Sequence, residues 1–216
     1  MKRSLPQSNL RFPLNFVLGN ETHVRLLREL FRHGGPLGAP RLARDTGMSR
    51  NGARVGLISL AEAGVVEGLG GGRTVLYRVD MNHPLATVLA ELFRAEEARA
   101  DAVLDAAKMA VDDPAIVGTW IYGSFARGED RLGSDLDIAV LTEVRDTPAV
   151  EKVRERLDEA SDRLRFSPSV VGIDLADLSR MSGGDPWWGN LVRDAIVVKG
   201  GRPETLVPSG RAKVHG

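Results

Sequence analysis

The sequence predicts a mixed α+β protein in two parts. An N-terminal part of three helices and a hairpin is joined by a helical connector to a C-terminal mixed sheet flanked by helices. Three observations carry this expectation. Charge is divided, with 12 Lys+Arg against 6 Asp+Glu in residues 1–80 (net +6) and 17 against 23 in residues 81–216 (net −6). Between about residues 20 and 80, helix-spaced apolar runs give way to two short strands around Gly70-Gly71-Gly72. Further on, a Gly123-Ser124 turn precedes an apolar strand that opens on Asp135-Leu136-Asp137. The expected domains are residues 1–82, a connector over 83–110, and residues 111–216.

Composition narrows the class. Of 216 residues, 43% are hydrophobic and 27% charged, the balance of a soluble globular protein. The absence of cysteine excludes disulfides and thiolate zinc sites and fits a reducing, cytoplasmic setting. No run is long and apolar enough to span a bilayer, and Pro6, Gln7, Ser8, Asn9 and Arg11 interrupt the chain behind Lys2 and Arg3.

In the basic half, Val24, Leu26, Leu27, Leu30 and Phe31 make one face of a helix over 23–32, stopped by Gly34-Gly35-Pro36. Pro40 to Asp45 reads as a second, short helix with Leu42 and Ala43 inward. Thr46-Gly47-Met48 is a tight turn in which glycine supplies a positive φ. Ser49 caps a third helix to about Ala63, with Val55, Ile58, Leu60 and Ala61 as its expected core positions. Val65–Leu69 and Arg73–Val79 form the hairpin. This order of elements over residues 20–80 resembles the winged helix-turn-helix domain of transcription regulators. The resemblance implies double-stranded DNA as partner and a homodimer, with the third helix in the major groove. Arg50, Asn51 and Arg54 are then placed to reach base edges, and Ser49 and Arg73 to reach phosphate. In the connector, Leu85, Val88, Leu89, Leu92 and Phe93 recur at helical spacing, and Val103, Leu104, Ala107 and Met109 extend a seam for core or dimer contact.

The acidic half carries the chemistry. Asp135 and Asp137 flank Leu136, so both carboxylates share one face of a strand while Leu136, Ile138 and Val140 enter the core. Two carboxylates side by side call for a hard divalent cation. Upstream, Ile116–Tyr122 is an apolar strand ending at Gly123-Ser124, where backbone N–H groups and the Ser124 hydroxyl can meet phosphate. Arg127 suits a triphosphate, or a pair with Glu129 or Asp130. Ser134 suits orientation of Asp135, or a structural turn. Trp187 and Trp188 begin a helix that covers the sheet, and Ile196–Val198 is a last strand.

The run Gly123-Ser124-x-Ala126-Arg127-Gly128, then Ser134-Asp135-x-Asp137, resembles the signature of the DNA-polymerase-β-like nucleotidyltransferases, in particular the minimal branch. The resemblance implies transfer of a nucleoside monophosphate from an NTP, with ATP as the expected nucleotide, to a hydroxyl. It also implies two Mg²⁺ ions and a third carboxylate on a later strand. Asp174, alone in the apolar run 169–176, is the candidate for that third acid, because a lone buried charge is costly unless paired or bound to metal. Asp177, beyond the run, is the second choice. Gly123, Ser124, Arg127 and Ser134 are the expected nucleotide contacts, and Asp135, Asp137 and Asp174 the catalytic and metal-binding trio. Two other functions remain open. One is a nucleotide-sensing repressor without catalysis. The other is a toxin–antitoxin or defence module that modifies a protein or RNA acceptor.

Overall fold

The computed structural model describes residues 17–71, 75–145 and 147–208. By backbone contacts the chain divides into two units, residues 1–97 and 98–216.

Among the described residues, three helices, a small sheet and the start of a fourth helix make the first unit. Helix α1 is Glu21–His33; Asn20 caps it by accepting from Thr22 N at 2.9 Å, and Gly34, at φ 71°, ends it. A short strand β1 (Leu37–Gly38) leads into α2 (Ala39–Asp45), and the turn through Gly47 delivers the chain to α3 (Arg50–Glu62). Ser49 caps α3 as expected, its hydroxyl accepting from Gly52 N at 3.0 Å. Strands β2 (Val66–Leu69) and β3 (Leu76–Val79) pair antiparallel, and β1 adds to the other edge of β3. This is a winged helix-turn-helix. Its core joins Leu26, Leu27 and Leu30 to Leu42, Leu57 and Leu60.

Two expected core positions of α3 are corrected. Val55 and Ile58 are exposed, and the buried face is Ala53, Gly56, Leu57 and Leu60. The reason is close packing on α1: a Cβ at Gly56 would stand 2.7 Å from Thr22 Cγ2 and 2.8 Å from Leu26 Cδ1. The glycine is the contact point, and it turns the larger apolar residues outward.

Helix α4 (Ala86–Ala110) is continuous across the division between units. Ala86, Leu89 and Phe93 belong to the first core, and Val103, Ala107 and Ala110 to a core of the second unit. Val88, Leu92 and Met109 of the expected seam are exposed.

In the second unit, β4 (Ile116–Tyr122) runs into a short helix α5 (Gly123–Arg127), then β5 (Asp135–Thr142), α6 (Pro148–Leu164) and β6 (Ser167–Asp174). Helices α7 (Leu175–Met181) and α8 (Pro186–Asp194) and strand β7 (Ile196–Lys199) follow. The sheet order is β6-β5-β4-β7, with β5 and β6 parallel and the other pairs antiparallel. Strand alternation sorts the side chains onto two faces. Leu136, Ile138 and Val140 pack with α4 and α6 residues on one face, and Ala139, Leu141, Trp120 and Tyr122 pack with α7 and α8 residues on the other. Asp135 and Asp137 have the parity of the second face.

Candidate active site in the second unit

The two carboxylates stand where β5 begins. Leu136, between them, is buried, whereas Asp135 is exposed and Asp137 half-buried. Tyr122 is the register partner of Asp137 across β4–β5, so the next residue, Gly123, turns directly beside that carboxylate. Gly123 has φ 78°, and the space a Cβ would take there is filled by Asp137 Oδ2. The glycine is therefore demanded twice, by a left-handed backbone and by the carboxylate. The occupant of that space is thus the carboxylate, where the sequence alone points to phosphate. Burial first, and the charge of Asp135 second, raise the pKa of Asp137 above the usual carboxylate range, while a hydrogen bond from Ser169 and the charge of Arg127 pull it back. A bound cation would relieve both of the raising effects.

Asp174 does not join this pair. In the parallel register, Asp137 lies opposite Ser169, while Asp174 lies opposite Thr142, five positions further along β5. At the rise of a strand this is roughly 16 Å. Its parity along β6 also matches Val170, which packs on the α4–α6 face, rather than Ile173 on the other. Instead, Asp174 caps α7, accepting from Asp177 N at 2.7 Å. Asp177, the second choice, sits in the first turn of α7 and pairs with Arg180 at 2.7 Å. The residue that faces Asp137 from β6 is Ser169, which sequence reasoning missed.

Arg127 is held rather than free. Its Nε donates to Glu129 at 2.8 Å and its Nη1 to Asp194 at 2.5 Å. The Asp194 side chain is only 2% exposed, and hydrogen bonds from Arg193 and then Arg127 hold its pKa below the usual range. This clamp fastens α5, and with it Gly123 and Ser124, to α8. Ser134 takes the structural option: its hydroxyl accepts from Arg131 N at 2.9 Å and closes the 131–134 turn. Ser124, second in α5, is half-buried. Trp187 donates from Nε1 to the Tyr122 hydroxyl at 3.2 Å, with the rings edge to face, so it is tied to Tyr122 while Trp188 is buried.

Asp135 and Asp137 are the side chains of this group that would hold a divalent cation. They offer hard oxygen donors on one face, of the kind Mg²⁺ prefers. Among the described residues, no group of three or more His, Asp or Glu side chains is arranged to hold a metal.

In the first unit, Arg50, Asn51 and Arg54 lie exposed on α3, with Arg54 Nη2 donating to Asn51 Oδ1 at 3.4 Å. Val55 and Ile58 share that exposure. Arg73 lies outside the described residues.

Residues 105–180 match the family model described as polymerase beta, nucleotidyltransferase. The second unit thus contains a segment that matches the nucleotidyltransferase family, and the chain joins it to a unit with a winged helix-turn-helix fold. The chain is similar to the AntR antimony-specific transcriptional repressor, at 26% identity over 47% of this chain and 91% of that one, with a TM-score of 0.37. It is also similar to a homodimeric winged helix-turn-helix domain from Mycobacterium bovis described as a possible ArsR-family regulator (24% identity, 47% and 91% coverage, TM-score 0.32). A third similarity is to a toxin–antitoxin structure with AMP-PNP (21% identity, 51% and 80% coverage, TM-score 0.34). No curated protein matches the chain. Among the described residues, no helix is long and apolar enough to cross a membrane.

Proposed function

We propose that the chain is a DNA-binding regulator whose second unit binds a nucleoside triphosphate with Mg²⁺ and transfers its nucleoside monophosphate to a hydroxyl, releasing pyrophosphate. One observation carries this reading: Asp135 and Asp137 share a face beside Gly123, whose missing Cβ leaves room for the Asp137 carboxylate. Asp135 and Asp137 would hold the cation, which supplies charge stabilisation to the transferring phosphoryl group. Ser124 donates its hydroxyl toward phosphate oxygens. Arg127 acts as a positioning residue, keeping α5 in place through Asp194. The Ser169 hydroxyl steadies the ionised form of Asp137. ATP is the nucleotide to try first. The domain limits 1–82, 83–110 and 111–216 serve as the working division for separate assays.

In the first unit, Arg50, Asn51 and Arg54 would read base edges of double-stranded DNA, with Ser49 and Arg73 on phosphates, in a homodimer that meets two half-sites. Incubation with α-labelled NTPs, Mg²⁺ and RNA, protein or small-molecule acceptors tests the transfer. Label should move with the wild type and not with Asp135→Ala/Asp137→Ala.

A second reading is favoured by Ser169. With a hydroxyl rather than an acid facing Asp137 from β6, the unit would bind Mg²⁺ and NTP without turnover and report nucleotide level to the DNA-binding unit. Operator affinity that changes with NTP, in the absence of label transfer, selects this reading.

A further inference from the structure

We propose that a groove of about 370 Å³ ending at Asp135 seats a single-stranded nucleic acid, the acceptor for the transfer proposed above. The inference rests on that reading only for the word acceptor; binding itself is independent of it. Residues 98–216 carry 16 Lys+Arg against 20 Asp+Glu, so this unit as a whole repels polyanions. Six of its arginines pair with carboxylates: Arg127, Arg145, Arg154, Arg180, Arg193 and Arg202. Of the described arginines of this unit that make no ion pair, three gather at this groove, while Arg156 and Arg163 lie beside another cavity. The groove is lined by Arg99, Arg131 and Arg165, none of which makes an ion pair among the described residues.

Two of these arginines are fixed in place by the backbone at the end of α6. Arg99 donates from Nε to Leu164 O at 3.0 Å and from Nη2 to Arg165 O at 2.8 Å. Arg165 is itself fixed as the left-handed cap of α6, at φ 56°. Three cations around one groove, with Asp130 the only acid in the lining besides Asp135, suit an anion of repeating charge. Phe125 and Phe166 line the same groove and are half-buried, which leaves part of each ring open. Guanidinium groups and aromatic rings lining one groove suit unpaired bases on a phosphate backbone, since a duplex keeps its base faces covered.

Fluorescence anisotropy of short labelled single-stranded RNA and DNA tests this on the full chain, with unlabelled duplex DNA in excess to occupy the first unit. An acidic peptide serves as the rival ligand. Wild type should bind the single strand, and Arg131→Glu/Arg165→Glu should bind it at least tenfold more weakly. The slope of log affinity against log salt should fall by about 1.4, about 0.7 for each phosphate no longer neutralised. Single-strand affinity that is absent in wild type or unchanged in the variant, or an acidic peptide bound as tightly and lost with the same variant, overturns the proposal. A 4-thiouridine oligonucleotide provides a second measurement on unmodified protein: cross-links at residues 125–136 or 165–166 support the groove, and cross-links confined to residues 1–97 overturn it. Mg²⁺-dependent ATP binding is measured alongside. Lost ATP binding with retained oligonucleotide binding strikes the transfer site, and the reverse strikes the groove.

Discussion

Ser169 faces Asp137 across the parallel β5–β6 pair. Its hydrogen bond favours the charged form of Asp137, but a neutral hydroxyl brings no charge to a second cation. Ser169→Asp should therefore tighten divalent-ion binding, at least several-fold by calorimetric titration, and should raise any label transfer. Unchanged Mg²⁺ affinity in a folded variant would show that the 169 position does not face the cation.

Asp137 sets a pH dependence. Its pKa is raised in the folded protein, so between the ordinary carboxylate value and the raised one the native state binds more protons than the unfolded state. Without metal, stability should fall as pH rises through that window, and Asp137→Asn should flatten this slope and melt higher at neutral pH. Mg²⁺ affinity should rise over the same window, because the cation must displace the proton. Thermal melts across pH, with and without Mg²⁺, measure both effects.

Gly123→Ala should cost about 1–2 kcal/mol from the left-handed backbone alone. The new methyl would also push on the Asp137 carboxylate. Denaturant melts give the first effect, and loss of Mg²⁺ binding in the still-folded variant gives the second. Gly189→Ala is the control: it is a helical position with open space where a Cβ would stand, and it should bind Mg²⁺ as wild type does.

In the first unit, Gly56→Ala should destabilise by about 1–3 kcal/mol through overpacking against Thr22 and Leu26. Arg54→Ala should leave the melting temperature within a degree or two while weakening operator binding, about 1–3 kcal/mol if it reads a base. Melting curves and DNA titrations on the two variants separate scaffold from reader.

What could be read from the sequence was local. Alternation placed Leu136, Ile138 and Val140 in a core and turned both carboxylates the other way, because a strand fixes that geometry residue by residue. The cap at Ser49 and the turn at Gly47 were legible for the same reason. The third acid was not, because the residue facing Asp137 depends on the register of a strand thirty-odd residues away. Counting in twos from Ile173 does put Ser169 on one face of β6 and Asp174 on the other, yet without the register neither face can be matched to β5. On α3, period alone favoured Val55 and Ile58 as core, and the deciding contact was a glycine with no hydrophobic signal of its own.

Calorimetric titration of ATP into the full chain, with and without Mg²⁺, tests the Asp135–Asp137–Gly123 arrangement most directly. The account predicts ATP binding that requires Mg²⁺ and disappears in Asp135→Ala/Asp137→Ala while the fold persists. ATP bound equally well by that variant, or not bound by the wild type across all four nucleotides, would contradict it.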